Sequence, residues 1–246
     1  MARGAVFCKN SGMGEIFASL GLALRLIAGL DPALWQIVVL SVEVSLGATL
    51  AATLVGLPVG AFVAVGRFPG RRAVVVLLNT LLGLPAVVVG LVVYLLLSRA
   101  GPLGELGILF TPTAIVIAQA ILVLPLIAAL SRQFVEDAWR EYAEQLLSLG
   151  VSRARAVPTL LHDLRFSLLT VVLAGFGRAA SEVGAVMIVG GNIDGVTRVM
   201  TTTIALETSK GDLPLALALG VILIVLVLAM NLAAYALREW SARRHG

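Results

Sequence analysis

Long apolar runs separated by short charged segments make up almost the whole chain. Runs near residues 35–65, 73–98, 113–130, 166–190 and 214–237 approach or exceed the ~20 apolar residues that a helix needs to cross a bilayer. The pattern therefore predicts an all-α integral membrane protein with about five spanning helices in a membrane domain over residues 31–240. Asp31-Pro32 and Asp212-Leu213-Pro214 supply N-cap and first-turn signals before the first and fifth runs. Residues 15–30 differ. Ile16, Phe17, Leu20, Leu24, Ile27 and Ala28 fall at helical spacing with Arg25 on another face, and the segment is short and mixed, so an interfacial helix is expected. Gly56-Leu57-Pro58, Gly83-Leu84-Pro85 and Leu124-Pro125 each remove a backbone donor inside a predicted helix. The freed groups need neighbouring helices or a watery cavity, so these sites are either kinks in a packed bundle or kinks that shape a pathway. Gly56 and Gly60 form a GxxxG pair, a spacing that permits close helix packing.

The longest polar interruption is residues 131–165, most charged over 141–165. Phe134, Ala138, Tyr142 and Leu146 form one helical stripe, with Val135, Trp139, Ala143 and Leu147 beside it. Glu136, Asp137, Arg140, Glu141 and Glu144 take the other face. Gly150 can end this helix in the left-handed conformation, and Ser152 can cap a second short helix, 153–157, bearing Arg153 and Arg155. A mere linker could be far shorter, so a docking surface for a cytoplasmic partner is expected over a solvated linker. Arginine asymmetry sets the orientation, because basic residues accumulate on the cytoplasmic side. Arg67, Arg71 and Arg72 follow the first span. Arg132, Arg140, Arg153, Arg155 and Arg165 lie in the 131–165 segment, and Arg238, Arg243 and Arg244 end the chain. The opposite loops hold only Arg99, Arg198 and Lys210. The N-terminus is expected outside and the C-terminus, with a short tail at 241–246, in the cytoplasm.

Composition agrees: 59% of the 246 residues are hydrophobic and 13% charged, against about 25% charged in a soluble domain. The net charge of +4 is no argument for nucleic acid in such a chain. The single cysteine, Cys8, leaves no internal disulfide. Residues 1–12 look unlike the rest and read as a leader, with Met13 a candidate start. Catalytic and metal patterns are missing: there is no GxSxG, HExxH or CxxC, and His162 and His245 are the only histidines. The lysines, Lys9 and Lys210, follow Cys8 and Ser209, so no GxxxxGK[ST] phosphate loop exists. No catalytic residue, metal site or cofactor is expected in the chain. Uphill transport would draw on another subunit or on an ion gradient.

Several ionisable or polar positions stand out in or beside the spans. Arg178 lies within the predicted fourth span, where an arginine costs about 2.5–3.5 kcal/mol and faces a partner or cavity. Glu182, four residues on, can pair with it, and Ser181 and Gly184 sit nearby. The pair is either a structural register lock or a pathway lining or gate. Glu43 shares a face with Gln36 and is either a polar helix contact or a pathway residue. Asn192 and Asp194 lie in the Gly190–Gly195 turn, where turn chemistry or a gate would explain them. His162 reads as a solvated residue.

Glu144 and Gly150, in the Ser-Leu-Gly-Val-Ser context, resemble the E-A-A-x-x-x-G signature of type I ABC importer permeases. Gln145 and Leu146 replace the usual alanines, and His162-Asp163 a later Leu-Pro. Residues 175–193, with Thr197–Thr203 and Ala205–Gly211, are similar to tungstate importer permeases, a likeness extending over about residues 15–240. Molybdate and sulfate permeases carry a looser version. The resemblance implies the type I permease fold and ATPase coupling through Glu144, Gly150, Val151, Ser152, Arg153 and Arg155. It also implies a homodimer, paired ATPase subunits that carry ATP and magnesium, and an extracytoplasmic binding protein delivering an oxyanion. An ion-coupled secondary transporter using Glu43, Arg178 and Glu182 is the competing reading.

Overall fold

The computed structural model describes residues 11–29 and 31–245, which form helices and turns with no strand among them. The helices are α1 (Ser11–Ala28), α2 (Pro32–Val65), α3 (Arg71–Leu81), α4 (Ala86–Leu97) and α5 (Pro112–Ser148). They continue as α6 (Arg153–Asp163), α7 (Arg165–Ala180), α8 (Gly184–Gly190), α9 (Met200–Lys210) and α10 (Leu213–His245). Among the described residues, three helices are long and apolar enough to cross a membrane: α2, α5 and the first part of α10. The number rises to 5 when the bent pairs α3–α4 and α6–α7 are each taken as one span.

The bundle is organised on α2 against α5. Gly56 and Gly60 lie on Ile127, Ala128 and Ser131, and a Cβ on Gly60 would run into the Ser131 hydroxyl and the Ala128 carbonyl. The GxxxG pair thus sets the approach of two long helices, as its spacing suggested. Gly175 brings α7 onto Val123 and Ile127 of the same α5 face. Asp31 caps α2 through its carboxylate, which accepts from the amides of Ala33 (3.0 Å) and Leu34 (3.1 Å). Helix α1, the expected interfacial segment, packs Ala23 and Leu26 into a cluster with Leu34 and Val38 of α2 and Leu219 of α10. Most of the expected leader, residues 1–10, lies outside the described residues.

Several predicted elements are corrected. Pro58 and Pro125 sit inside continuous helices, but Pro85 stands at the N-cap of α4, after α3 has ended at Leu81. The residue before a proline is pushed out of the α region, so the predicted 73–98 span divides into α3 and α4, which meet at 100°. The predicted 166–190 span also divides, into α7 and α8, at Ser181–Val183. The helix expected in the charged segment from residue 131 is continuous with the preceding span: both belong to α5, whose 37 residues extend about 55 Å, well past a ~30 Å hydrocarbon layer. The segment 153–157 is the start of a longer helix, α6, that runs through Pro158 to Asp163. The expected separate tail at 241–246 is the end of α10, helical to His245.

The two broken runs are neighbours. A Cβ on Gly90 of α4 would come within 2.7 Å of the Ala185 Cα of α8, and one on Gly184 within 2.8 Å of the Val87 side chain. Val89, Val93, Ala185, Val186 and Val189 join Ile115 and Ala118 of α5 in one core. Two helix breaks are therefore set side by side against one continuous helix.

Candidate coupling face and translocation site

At the α5–α6 junction the sequence signal is local and legible. Gly150 has φ +76°. Its amide donates to the Leu147 carbonyl (3.0 Å) and the Val151 amide to Leu146 (3.0 Å), the paired bonds of a Schellman ending. Ser152 takes the N-cap position of α6 in an extended conformation, but its hydroxyl makes no capping bond. The first part of the apolar stripe on the end of α5 is turned into the bundle, while Leu147 further on is exposed. Val135, Ala138 and Trp139 are buried against Ala61, Ala64 and Val65 of α2 and Ala156 and Leu160 of α6.

Arg153 points into that cluster. Its guanidinium lies 5.2 Å from the Trp139 ring centre and donates to the Val65 carbonyl at 3.1 Å. Glu144, Gly150, Ser152 and Arg155 face outward, joined by Leu149, which is 78% exposed, while Val151 is half-buried. The predicted coupling residues thus form one region with two directions.

Sequence reasoning missed the hub beside it. Glu136 pairs with Arg71 (3.3 Å), Arg140 (3.2 Å) and Arg132. Arg71 also donates to the carbonyls of Val63 (2.7 Å) and Ala64 (3.2 Å). With Arg153 on Val65, two guanidiniums satisfy three carbonyls at the C-terminal end of α2, where cations oppose the negative end of the helix dipole. The i, i+4 spacing of Arg132, Glu136 and Arg140 was readable. Arg71's part requires α2 and α5 to be adjacent.

The predicted Arg178–Glu182 pair forms, but not along one helix. Arg178 is in the last turn of α7, and Glu182 lies in the break after it. Glu182 is 5% exposed, and its second carboxylate oxygen accepts weakly from the Ala185 amide (3.4 Å). The Ser181 hydroxyl is exposed and donates to the Arg178 carbonyl (3.2 Å). Arg178 itself, 39% exposed along its side chain, lines a cavity with Leu81, Leu82, Leu84, Leu122 and Leu126, where the α3–α4 break meets the α7–α8 break. A half-exposed cation thus stands in an apolar setting, neutralised by a buried carboxylate.

The remaining predicted residues lie apart. Asn192 has φ +50° and accepts from the Thr202 hydroxyl at 2.9 Å, so turn geometry accounts for it. Asp194 pairs with Arg198 (2.9 Å). Glu43 makes no polar contact within this chain among the described residues. It is exposed on α2 beside Gln36 and Val39, and no hydrogen bond or ion pair among the described residues holds it. His162 is exposed.

Broken spans about a neutralised cation, with an exposed helix–glycine–helix corner at one end, define a membrane transport subunit. The family of binding-protein-dependent transport system inner membrane components matches residues 56–245, and the chain belongs to it. It is 43% identical to the tungstate uptake system permease protein TupB of Peptoclostridium acidaminophilum, over 88% of this chain and 95% of that one. A probable anion ABC transporter permease protein of Haloferax volcanii is 38% identical, over 86% and 93%. The Campylobacter jejuni tungstate uptake system permease protein is 39% identical, over 70% and 72%.

Proposed function

We propose that this chain is the membrane subunit of a tungstate importer, acting as a homodimer on separate ATPase subunits and receiving its anion from an extracytoplasmic binding protein. The observation that carries the proposal is the 43% identity to a tungstate uptake permease across nearly the full length of both chains. The N-terminus lies outside and the C-terminus in the cytoplasm, so the α5–α6 corner meets the ATPase. ATP and magnesium belong to that partner and supply the driving energy.

Each site residue then has a task. Glu144, Leu149, Ser152 and Arg155 offer the outward contact surface, with Gly150 setting the angle between α5 and α6. Arg153 passes a displacement of α6 to Trp139 and to the end of α2. Arg178 attracts the dianion at the paired helix breaks, and Glu182 keeps that attraction weak enough for release. A fully exposed, unpaired arginine would hold the anion in the pathway.

Vesicles containing this chain, its ATPase and the binding protein test the proposal. Tungstate uptake should require ATP, and Gly150→Pro should abolish it together with ATPase association. Uptake without the ATPase would instead favour the ion-coupled reading, for which the unpartnered Glu43 is the supporting observation. Molybdate or sulfate is the alternative cargo, and competition by either anion at equal concentration distinguishes them.

A further inference from the structure

A broken helix inside a membrane leaves backbone groups without helical partners, and each must be satisfied by something nearby. At the α7–α8 break two carbonyls receive side chains from other helices. The Ala179 carbonyl accepts from the Glu182 amide at 3.1 Å and, in addition, from Gln119 Nε2 of α5 at 3.0 Å. The Glu182 carbonyl accepts from Thr201 Oγ1 of α9 at 2.7 Å. Both donors are buried, Gln119 at 3% and Thr201 at 7% exposure. Glu182 is thereby held at its backbone by Thr201 and at its carboxylate by Arg178 and the Ala185 amide.

The three consecutive threonines at the start of α9 do different work. Thr202 meets Asn192, the amide of Val199 and its carbonyl, and Thr203 bonds only back to the Val199 carbonyl. Only Thr201 reaches another helix break. Helix α9 is itself anchored on α2, because the Met200 amide donates to the Ser41 hydroxyl at 2.7 Å. A line of buried hydrogen bonds therefore runs from α2 through the first turn of α9 to the residue that neutralises Arg178.

We infer that Thr201 and Gln119 are positioning residues for transport: they hold the α7–α8 break in the geometry that keeps Glu182 on Arg178. Neither touches the anion. Thr201 sets the carboxylate's starting point, and Gln119 fixes the end of α7, from which Arg178 projects. The inference rests on the reading of Arg178 as a pathway residue.

The test uses the assembled complex in vesicles, supplied with tungstate by its binding protein. Thr201→Val preserves shape and removes the donor, while Thr201→Ser keeps the donor. Leaving a buried carbonyl unpaired should reduce maximal uptake about tenfold in Thr201→Val, with Thr201→Ser within about twofold of the parent. The amount of complex and the tungstate concentration at half-maximal uptake should not change. Gln119→Leu leaves the Ala179 carbonyl with the Glu182 amide and should lower maximal uptake by a smaller factor than Thr201→Val. The deciding readout is a double-mutant cycle: in a Glu182→Gln background, Thr201→Val should add little further loss, since both act on one pair. Losses that multiply independently, or full uptake in Thr201→Val while Arg178→Gln is impaired, overturn the positioning role alone. Full uptake in Arg178→Gln overturns the pathway reading and this inference with it.

Discussion

Arg153 and Arg155 are two residues apart and have opposite surroundings. Two steps along a helix rotate a side chain by about 200°, so one guanidinium meets Trp139 and Val65 while the other meets solvent. Arg153→Ala should lower the thermal stability of the subunit by about 1–3 kcal/mol, because it strips a donor from a part-buried carbonyl and removes packing from Trp139. Arg155→Ala should leave the melting midpoint unchanged and weaken co-purification of the ATPase. The two readouts, thermal denaturation and ATPase retention, should therefore separate the two arginines. At Gly150 the φ of +76° makes any side chain costly although open space surrounds the Cβ position. Gly150→Val should cost about 1–2 kcal/mol from backbone strain alone, and Gly150→Asn less, in the same melting experiment. This residue was legible because its conformation is a local property of the chain. The direction of Arg153 was not, because it depends on which helices lie beside α6.

Among elements, the contact of α2 with α5 is the least tolerant of added volume. Gly60→Val would push a branched side chain into Ser131 and the Ala128 carbonyl, and should cost about 1–3 kcal/mol through overpacking. Detergent-solubilised Gly60→Val should elute with a larger aggregated fraction on size-exclusion chromatography, whereas Gly21→Ala, where nothing approaches the Cβ position, should elute as the parent does. The Glu136 hub joins the end of α5 to the segment after α2. Removing its carboxylate leaves Arg71, Arg132 and Arg140 without their shared partner. Glu136→Gln should accelerate proteolysis between α2 and α3, where Arg71 otherwise clamps the α2 carbonyls. Hydropathy located every apolar run at this scale. It missed the division of two of them, because a stretch of apolar residues carries no record of its direction. Pro85 was visible as a helix breaker, but not that α3 stops at Leu81 and that Pro85 opens α4 with Gly90 packed on Ala185 of α8.

For the whole molecule, the proposed coupling makes energy source the decisive observable. Collapse of the proton gradient at constant ATP should leave tungstate uptake intact, and omission of the ATPase should abolish it. Uptake assayed with a protonophore and with ATPase-free vesicles checks both outcomes. The exposed carboxylate of Glu43 belongs to this scale. A charge on a spanning helix costs about 2.5–3.5 kcal/mol against lipid, so in the assembled protein it faces water or protein.

The chain's own sequence determined the all-helical membrane class, the apolar runs, the turn at Gly150, the cap at Asp31 and the identity of the Arg178–Glu182 pair. These depend on composition, helical spacing and single-residue conformations, which act over a turn or two of backbone. Only the tertiary structure decided that Val135, Ala138 and Trp139 of the α5 stripe pack inward, that Arg153 and Arg71 close the end of α2, and that two helix breaks stand side by side at Arg178. It also brought Gln119 and Thr201 to that break. Each of these joins residues far apart in the chain, and the partner of a buried polar group is set by which helices pack together.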